Sequence, residues 1–260
     1  MKILNGSELA RFIKERQARE IRALRTKPKL LIIRDSNNPV IMKYVGLKIK
    51  YGEDIGIDVE DFFTSNHQDI TTKIAQANND SSITGIIIQL PLTDKAKTEE
   101  LCNLIAPAKD IDGLSEHAKF DSATATAILW LLTGYDIDLK NSHIAIVGRG
   151  KLVGAPLYKM FTDSGYNVEL FHRGSDLTKL KQFDIIITAT GVPGLISDEY
   201  VKPGAVVVDA GTASEDGILK GDVADSVRAR TDLAAITPIT GGVGPMTISA
   251  LYDHLIQVES

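Results

Sequence analysis

Short apolar runs alternate with amphipathic segments along most of the chain. The apolar runs are four to eight residues long and rich in Ile, Val and Leu, as is typical of parallel strands buried on both faces. Their alternation with helices predicts α/β layers with parallel sheets. The predicted strands are Lys29 to Arg34, Ile57 to Phe62, Ile83 to Leu90, His143 to Val147, Asn167 to Phe171, Asp184 to Thr188, Ala205 to Asp209 and Ala234 to Thr237.

The segments between these strands carry apolar residues at helical spacing, which predicts amphipathic helices that cover the sheets. Their predicted bounds are Glu8 to Leu24, Pro39 to Tyr51, Gln68 to Ala77, Lys95 to Ile105, Ala155 to Ser164 and Thr178 to Phe183.

A polar stretch from Ala106 to Ser122 interrupts this alternation, and a predicted helix from Ala123 to Thr133 then leads into a new βαβ series. We therefore expect two α/β domains, residues 1–120 and 121–244, joined near residue 120. The last helix, within residues 245–260, is expected to pack back on the first domain.

Composition excludes several classes of protein. The 260 residues are 43% hydrophobic and 24% charged, and the net charge of −5 leaves no basic footprint for nucleic acid. No apolar run reaches the length of a membrane span, and the first residues lack the apolar core of a signal peptide. The single Cys102 cannot form an internal disulfide, which fits a reducing cytoplasm. Scattered histidines predict no bound metal.

A glycine motif follows the strand His143 to Val147. Its spacing is Gly148-x-Gly150-x-x-x-Gly154, one residue longer than the usual dinucleotide fingerprint. Glycine lets the backbone approach a pyrophosphate, and the N-terminus of the following helix favours negative charge. The motif predicts a dinucleotide site, with a purely structural turn as the alternative.

The next strand ends in His172-Arg173-Gly174-Ser175, where dinucleotide-binding folds usually have an acidic residue that holds the ribose. Arg149, Arg173 and Ser175 can instead contact a 2′-phosphate, which favours NADP over NAD. The alternative is that both arginines are only solvated.

Three further segments can carry chemistry. Tyr44 and Lys48 share one helix face, so Tyr44 can stack on a flat ring while Lys48 reaches a reacting atom. Gln89 ends a buried strand, where ligands gather in α/β sheets. Asp112, in Lys109-Asp110-Ile111-Asp112-Gly113, can accept hydrogen bonds from a ligand. The alternatives are a snorkelling lysine, a buried glutamine bonded to backbone and an aspartate that caps its own turn.

Three of the four residues 241–244 are glycine, and Pro245 suits the first turn of a helix. A helix N-terminus with free amides suits an anion or a polar ring. The alternative is a plain strand-loop-helix joint.

These segments occur in an order that resembles the methylenetetrahydrofolate dehydrogenase/cyclohydrolase family, over nearly the whole chain. The ordered set is Tyr44-x-x-x-Lys48, Gln89-Leu90-Pro91-Leu92, Lys109 to Gly113, Val147-Gly148-Arg149-Gly150-x-x-Val153-Gly154-x-Pro156, Lys202 to Asp209, Gly221-Asp222-Val223 and Thr237 to Thr247.

The resemblance implies a folate-binding catalytic domain, a Rossmann-like NAD(P) domain and a cleft between them. It implies NADP-dependent oxidation of methylenetetrahydrofolate, hydrolysis of the methenyl product to 10-formyltetrahydrofolate, and a homodimer. It assigns Lys48 as the catalytic lysine, Tyr44 as the ring that stacks on folate, Gln89 as the group that tunes Lys48, and Asp112 as the holder of the pterin.

The resemblance also places the Gly241 to Pro245 loop, with Gly242 and Pro245, near the substrate and the nicotinamide. The positions expected to contact the cofactor are Gly148, Arg149, Gly150, Val153, Gly154, His172, Arg173, Ser175, Thr190 and Gly191.

The chain departs from the family pattern around the implied cleft. It has Ser122-Ala123-Thr124-Ala125 in place of a usual Pro-Cys-Thr-Pro, Thr240 in place of a proline, and His172 to Ser175 shifted against a usual His-Ser-Arg-Thr. These changes bear on rate and cofactor preference more than on fold. The alternatives are a monofunctional NAD(P)-dependent dehydrogenase with weak hydrolysis, a nucleotide-binding regulatory protein without catalysis, and a hydroxy-acid dehydrogenase.

Overall fold

The computed structural model describes residues 1–211, 213–215 and 218–259. By their contacts the residues form two compact units. We call Arg11–Ala123 with Ile248–Ser260 the three-stranded unit, and Met1–Ala10 with Thr124–Thr247 the six-stranded unit.

The three-stranded unit contains a parallel sheet in the order β3-β2-β4. Strand β2 is in the middle and residues Leu30 to Ile33 are fully buried there, because side chains on both faces pack under helices. The elements that lie wholly in this unit are β2 (Lys29–Arg34), α2 (Pro39–Ile55), β3 (Asp58–Phe63), α3 (His67–Asn79), β4 (Gly85–Ile88), a 3₁₀ turn (Lys95–Lys97) and α4 (Thr98–Asn103).

Helix α2 has clear start and stop signals. The side chain of Asn38 accepts a hydrogen bond from the backbone N–H of Val40, and Pro39 is in the first turn, where its missing N–H costs nothing. The helix ends at Gly56, whose φ of 84° is left-handed. Because these signals fix where the helix begins and ends, they also fix which residues face the interior of the unit. Lys48 is one of these and is buried.

The six-stranded unit contains one all-parallel sheet in the order β1-β11-β8-β7-β5-β6. Its strands are β1 (Lys2–Ile3), β5 (Ile144–Val147), β6 (Val168–Phe171), β7 (Ile185–Thr188), β8 (Val206–Asp209) and β11 (Ala235–Ile236). Its other elements are α5 (Ala123–Gly134), α6 (Gly154–Asp163), 3₁₀ turns at Leu177–Gln182 and Asp198–Tyr200, the hairpin of β9 (Ala213–Glu215) and β10 (Ile218–Lys220), and α7 (Asp225–Arg228).

Three helices in the described part of the chain cross a boundary of the division. Helix α1 (Gly6–Ala23) and helix α8 (Val243–Glu259) contribute several residues to each unit, and α5 contributes only its first residue, Ala123, to the three-stranded unit. None of the helices in the described part of the chain is both long and apolar enough to span a bilayer.

The predicted fold class, α/β with parallel sheets, is confirmed, and every predicted strand is present within three residues of its predicted bounds. The first ten residues differ from the prediction, because β1 pairs with β11 and so groups with residues 124–247. Two paired residues are too short a run to give a pattern. The predicted helix from Thr178 to Phe183 is a 3₁₀ helix, Leu177–Gln182.

Candidate active site

Lys48 is the most unusual ionisable group of the three-stranded unit. Its side chain is buried, and Nζ donates a hydrogen bond of 2.6 Å to Oε1 of Gln89. Burial lowers the pKa of Lys48, and the nearby carboxylate of Asp112 opposes this shift. A lysine that gives up its proton more readily can accept one from a substrate near neutral pH.

Gln89 is held in one orientation by its other bonds. It follows the last residue of β4, and its backbone N–H donates to the carbonyl of Ile33 over 2.8 Å. Its side-chain Nε2 donates to the carbonyl of Leu90 over 2.8 Å. With the amide nitrogen engaged there, the amide oxygen is directed at Lys48 Nζ.

Asp112 lies in a loop whose backbone is held by Asp110. The carboxylate of Asp110 accepts hydrogen bonds from the N–H groups of Gly113, Leu114 and Ser115 over 2.7–3.1 Å. This leaves Asp110 as the residue that caps the turn and Asp112 as the one available to a ligand. Burial raises the pKa of Asp112 to about 6, although the positive charge of Lys48 lowers it.

A second contact holds the same loop from helix α8. The Nδ1–H of His254 donates to the carbonyl of Ile111 over 2.8 Å, and the His254 ring stacks on Phe120 at 4.7 Å between centroids. Burial lowers the pKa of His254, although the bond to the Ile111 carbonyl opposes this shift. Sequence reasoning missed His254, because a lone histidine on an otherwise apolar helix carries no pattern.

Tyr44 lies one helical turn before Lys48 on the same face of α2. Its side chain is half-buried, and this burial raises the pKa of the phenol. The ring therefore lies one helical turn from the lysine with part of its surface open. Lys48 is joined to Gln89 by a hydrogen bond and interacts with Asp112 through their opposite charges. Tyr44 is placed near Lys48 by the helical spacing of α2.

The glycine motif of the six-stranded unit forms a tight turn after β5. Gly148 has a φ of 115°, and an added Cβ there would lie 2.5 Å from the carbonyl oxygen of Ala189. A Cβ on Gly154 would overlap the carbonyl oxygen of Gly148, whereas one on Gly150 would meet nothing within 4 Å. Gly148 and Gly154 are thus required by the turn itself, and Gly150 keeps one side of the loop open.

The turn lies where the strand order of the sheet reverses. From β5 the chain passes to β6 on one side, and from there to β7 on the other. Ligands of α/β sheets bind at the carboxyl ends of strands at such a switch point. Val153 precedes the first residue of α6 and supplies no side-chain cap, while the N–H of Ala155 donates to the carbonyl of Gly150 over 3.0 Å. The positive end of the helix dipole at this N-terminus favours an anion.

The segment after β6 forms a turn that is closed by Ser175. Its hydroxyl accepts from the N–H of His172 over 3.0 Å, and its N–H donates to the His172 carbonyl over 2.9 Å. The Nδ1 of His172 lies 3.0 Å from the carbonyl oxygen of Arg173. The side chains of Arg149 and Arg173 are exposed. A phosphate group arriving from solution can therefore reach both guanidinium groups.

Thr190 and Gly191 follow β7, the second strand of the switch point. The N–H of Thr190 donates to Asp222 over 2.6 Å, and its hydroxyl accepts from the N–H of Val192 over 3.1 Å. Gly191 has a φ of 68°, so the chain reverses here with the glycine exposed.

The Gly241 to Pro245 segment is partly helical, since α8 begins at Val243 and Pro245 is in its first turn. The carbonyl of Gly241 accepts from the N–H of Ser7 over 2.9 Å. Gly242 is buried, and a Cβ on Gly6 would overlap its carbonyl oxygen. Thr240 is exposed at the entry to the segment.

A buried network behind the switch point was not assigned a role from sequence. Asp209, at the end of β8, accepts from the N–H groups of Asp222 and Val223, each over 3.1 Å, and from the guanidinium of Arg228. Asp222 in turn accepts from the hydroxyl of Thr188 over 2.7 Å. The network ties β7 to β8 and so supports the Thr190 loop. The sequence signals were the segment Lys202 to Asp209 and the Gly221-Asp222-Val223 motif.

Across residues 1–211, 213–215 and 218–259, no group of three or more His, Cys, Asp or Glu side chains could hold a metal ion.

Asp112 should titrate near pH 6, and replacing Lys48 with methionine should raise that midpoint, because the nearby positive charge is removed. The carboxyl ¹³C shift of Asp112, followed against pH in both proteins, measures this. The raised pKa also means that the folded protein binds this proton more tightly than the unfolded chain. The contribution of Asp112 to the free energy of unfolding is therefore fully present below about pH 4. It falls by about 3 kcal/mol as the pH rises from there through the folded pKa of about 6.

The control is Lys50→Met, on the same helix but exposed and paired with Asp54. This change should leave the midpoint of Asp112 in place. A midpoint near the ordinary aspartate value, or one that does not respond to loss of Lys48, would contradict the assigned coupling.

Comparisons with known proteins identify the family. A family model described as tetrahydrofolate dehydrogenase/cyclohydrolase, catalytic domain, matches residues 4–112, and one described as the NAD(P)-binding domain of the same family matches residues 122–260. The bifunctional protein FolD of Staphylococcus carnosus is 35% identical over 276 residues, which cover 99% of this chain and 96% of the relative.

Solved structures agree. The bifunctional FolD of Campylobacter jejuni is 31% identical with a TM-score of 0.93, and covers 100% of this chain and 98% of that protein. The Trypanosoma brucei FolD, solved with NADP and an inhibitor, is 25% identical with a TM-score of 0.89, and covers 99% of this chain and 96% of that protein. The chain belongs to the tetrahydrofolate dehydrogenase/cyclohydrolase family.

Proposed function

We propose that this protein oxidises 5,10-methylenetetrahydrofolate to the 5,10-methenyl form with NADP and then hydrolyses that product to 10-formyltetrahydrofolate. Both activities are those of the family to which the chain belongs. The observation that carries the hydrolytic half is the 2.6 Å bond between Lys48 Nζ and Gln89 Oε1 in a buried site next to Asp112.

Hydrolysis needs a base and no metal, because the methenyl carbon is already a cationic electrophile. Water adds through its oxygen to that carbon and loses a proton to the lone pair of Lys48 Nζ. The bond from the carbon to N5 then breaks, the hydroxyl proton of the adduct passes to N5, and the lysine later releases its proton to solvent. Gln89 keeps Nζ directed at the reacting water.

Asp112 and Tyr44 are the groups proposed to bind the folate. With a pKa of about 6, Asp112 is largely ionised at neutral pH and can accept hydrogen bonds from the amino and ring N–H groups of a pterin. The half-buried ring of Tyr44 offers an apolar face for stacking beside Lys48. Together they hold the methenyl carbon within reach of the base.

The turn between β5 and α6 fits a dinucleotide. Gly148 and Gly154 pack so closely that a Cβ on either would collide with backbone, and Gly150 leaves the approach to the helix N-terminus open. When bound, NADP supplies the hydride acceptor. The other residues proposed to contact it are Arg149, Val153, His172, Arg173, Ser175, Thr190 and Gly191, with Gly242 and Pro245 near the substrate.

Lys48→Met should abolish hydrolysis of methenyltetrahydrofolate, with a loss of at least about 10²-fold in kcat, because no other base replaces Nζ. Loss of methenyl absorbance measures the rate. The same variant should still bind NADP, since the six-stranded unit is untouched.

Lys50→Met is the matched control. It removes a lysine from the same helix, but an exposed one that pairs with Asp54, and hydrolysis should be unchanged. Hydrolysis that survives in Lys48→Met would remove the lysine from the mechanism. A purified protein that reduces neither NADP nor NAD with methylenetetrahydrofolate would contradict the proposed function as a whole.

We infer a preference for NADP from the exposed guanidinium groups of Arg149 and Arg173 beside the Ser175 turn. Arg173→Ala should raise the KM for NADP on the order of tenfold, because a charge-assisted bond to the 2′-phosphate is lost. The KM for NAD, which lacks this phosphate, should stay the same and is the internal control. Equal effects on both cofactors would assign Arg173 another role.

We also propose that the protein is a homodimer, as the family resemblance implies. Sedimentation velocity should then give a single species of twice the 28.2 kDa chain mass. A species with the mass of one chain across micromolar concentrations would contradict this.

A further inference from the structure

Tyr252 connects helix α8 directly to the main chain of Lys48. It is fully buried, and its hydroxyl donates a hydrogen bond of 2.7 Å to the backbone carbonyl of Lys48. Both residues belong to the three-stranded unit. Lys48 is therefore held at two points, at its backbone by Tyr252 and at the tip of its side chain by Gln89.

Gly52 makes room for this contact. An added Cβ at Gly52 would lie 2.6 Å from the Tyr252 hydroxyl oxygen and 2.5 Å from Cγ2 of Val59. Residues 48 and 52 lie one turn apart in the helix, so the missing side chain at Gly52 leaves room for the hydroxyl to reach the Lys48 carbonyl.

The neighbouring Tyr51 has a different role. Its ring stacks on Tyr252 at 4.9 Å between centroids. Its hydroxyl donates to Oε1 of Gln17 over 2.7 Å and accepts from the hydroxyl of Ser249 over 3.2 Å, and Nε2 of Gln17 donates to the Ser249 carbonyl. Tyr51 thus ties α1, α2 and α8 together without a hydrogen bond to Lys48. The two tyrosines are similarly buried, which allows their hydroxyls to be compared.

We propose that Tyr252 is a positioning residue for hydrolysis, and that its hydroxyl fixes the backbone of Lys48 so that Nζ stays on Gln89 and away from bulk water. The proposal rests on the proposed role of Lys48 as the base. A free lysine side chain can adopt many rotamers, so anchoring both its backbone and its amine leaves little freedom to misdirect the amine. Tyr252 touches no reacting atom in this account.

The charged groups around this contact are few. Asp112 is the charge that acts on Lys48, and Tyr51 and Glu53 are the groups that act on Tyr252. Removal of the Tyr252 hydroxyl changes none of these charges. Any change in the proton affinity of Lys48 would then come from altered position and hydration.

The test compares Tyr252→Phe with Tyr51→Phe in the full-length protein, by following kcat and KM for methenyl hydrolysis against pH. In Tyr252→Phe we expect kcat at neutral pH to fall on the order of tenfold with KM unchanged. The rising limb of the pH profile should move to higher pH, because a more hydrated amine holds its proton more tightly. In Tyr51→Phe the limb should stay in place, even if stability falls.

A folded Tyr252→Phe with an unchanged pH profile, or the same shift in both variants, would overturn the proposal. Gly52→Ala is a second variant, since its methyl must displace the Tyr252 hydroxyl while alanine favours the helix. It should move the rising limb in the same direction, and a folded variant without the shift counts against the proposal.

Lys48→Met separates the proposed role of Lys48 as the base from the proposed role of Tyr252 as a positioning residue. If that variant still hydrolyses, the proposed role of Lys48 fails; if it is inactive while the Tyr252→Phe profile is unchanged, only the positioning role fails.

Discussion

Burial of the Lys48 amine is the constraint on which the three-stranded unit depends. A charged ammonium taken out of water costs several kcal/mol unless it is paired, and a lysine relieves much of this cost by giving up its proton. The structure supplies one neutral acceptor, Gln89 Oε1, and one partly compensating charge, Asp112. This limited support keeps the amine ordered without fully stabilising its charged form, which is what a base near neutral pH requires.

The six-stranded unit is built around a different constraint, the close approach of backbone to backbone. At Gly148 and Gly154 two segments meet with no space for a Cβ, and the N-terminus of α6 follows at once. Behind this turn, Asp209 and Asp222 use buried carboxylates to hold the ends of β7 and β8. The dinucleotide site that we propose there uses main-chain geometry and exposed arginines, whereas the proposed Lys48 site uses buried side chains.

Local patterns were enough to predict the main strands and to place the residues that we propose for the site. Buried β-branched runs give strands, and parallel strands bring their carboxyl ends to one edge, so Gln89 and the glycine turn could be placed in advance. Tyr252 and His254 could not, because their partners lie 204 and 143 residues away in sequence. Within α8 they look like ordinary positions of a buried helix. Strand β1 was missed because only two residues pair.

The pKa shifts of Lys48 and Asp112 together determine which of the two groups holds a proton. The pKa of the lysine is lowered and that of the aspartate is raised to about 6. The proton affinities of the two groups are therefore closer to each other than they would be in water. A cationic methenyl substrate disfavours positive charge on Lys48 and favours negative charge on Asp112. Its arrival therefore pushes the pair toward a neutral amine and an ionised carboxylate. These are the states that the hydrolytic mechanism and pterin binding each require.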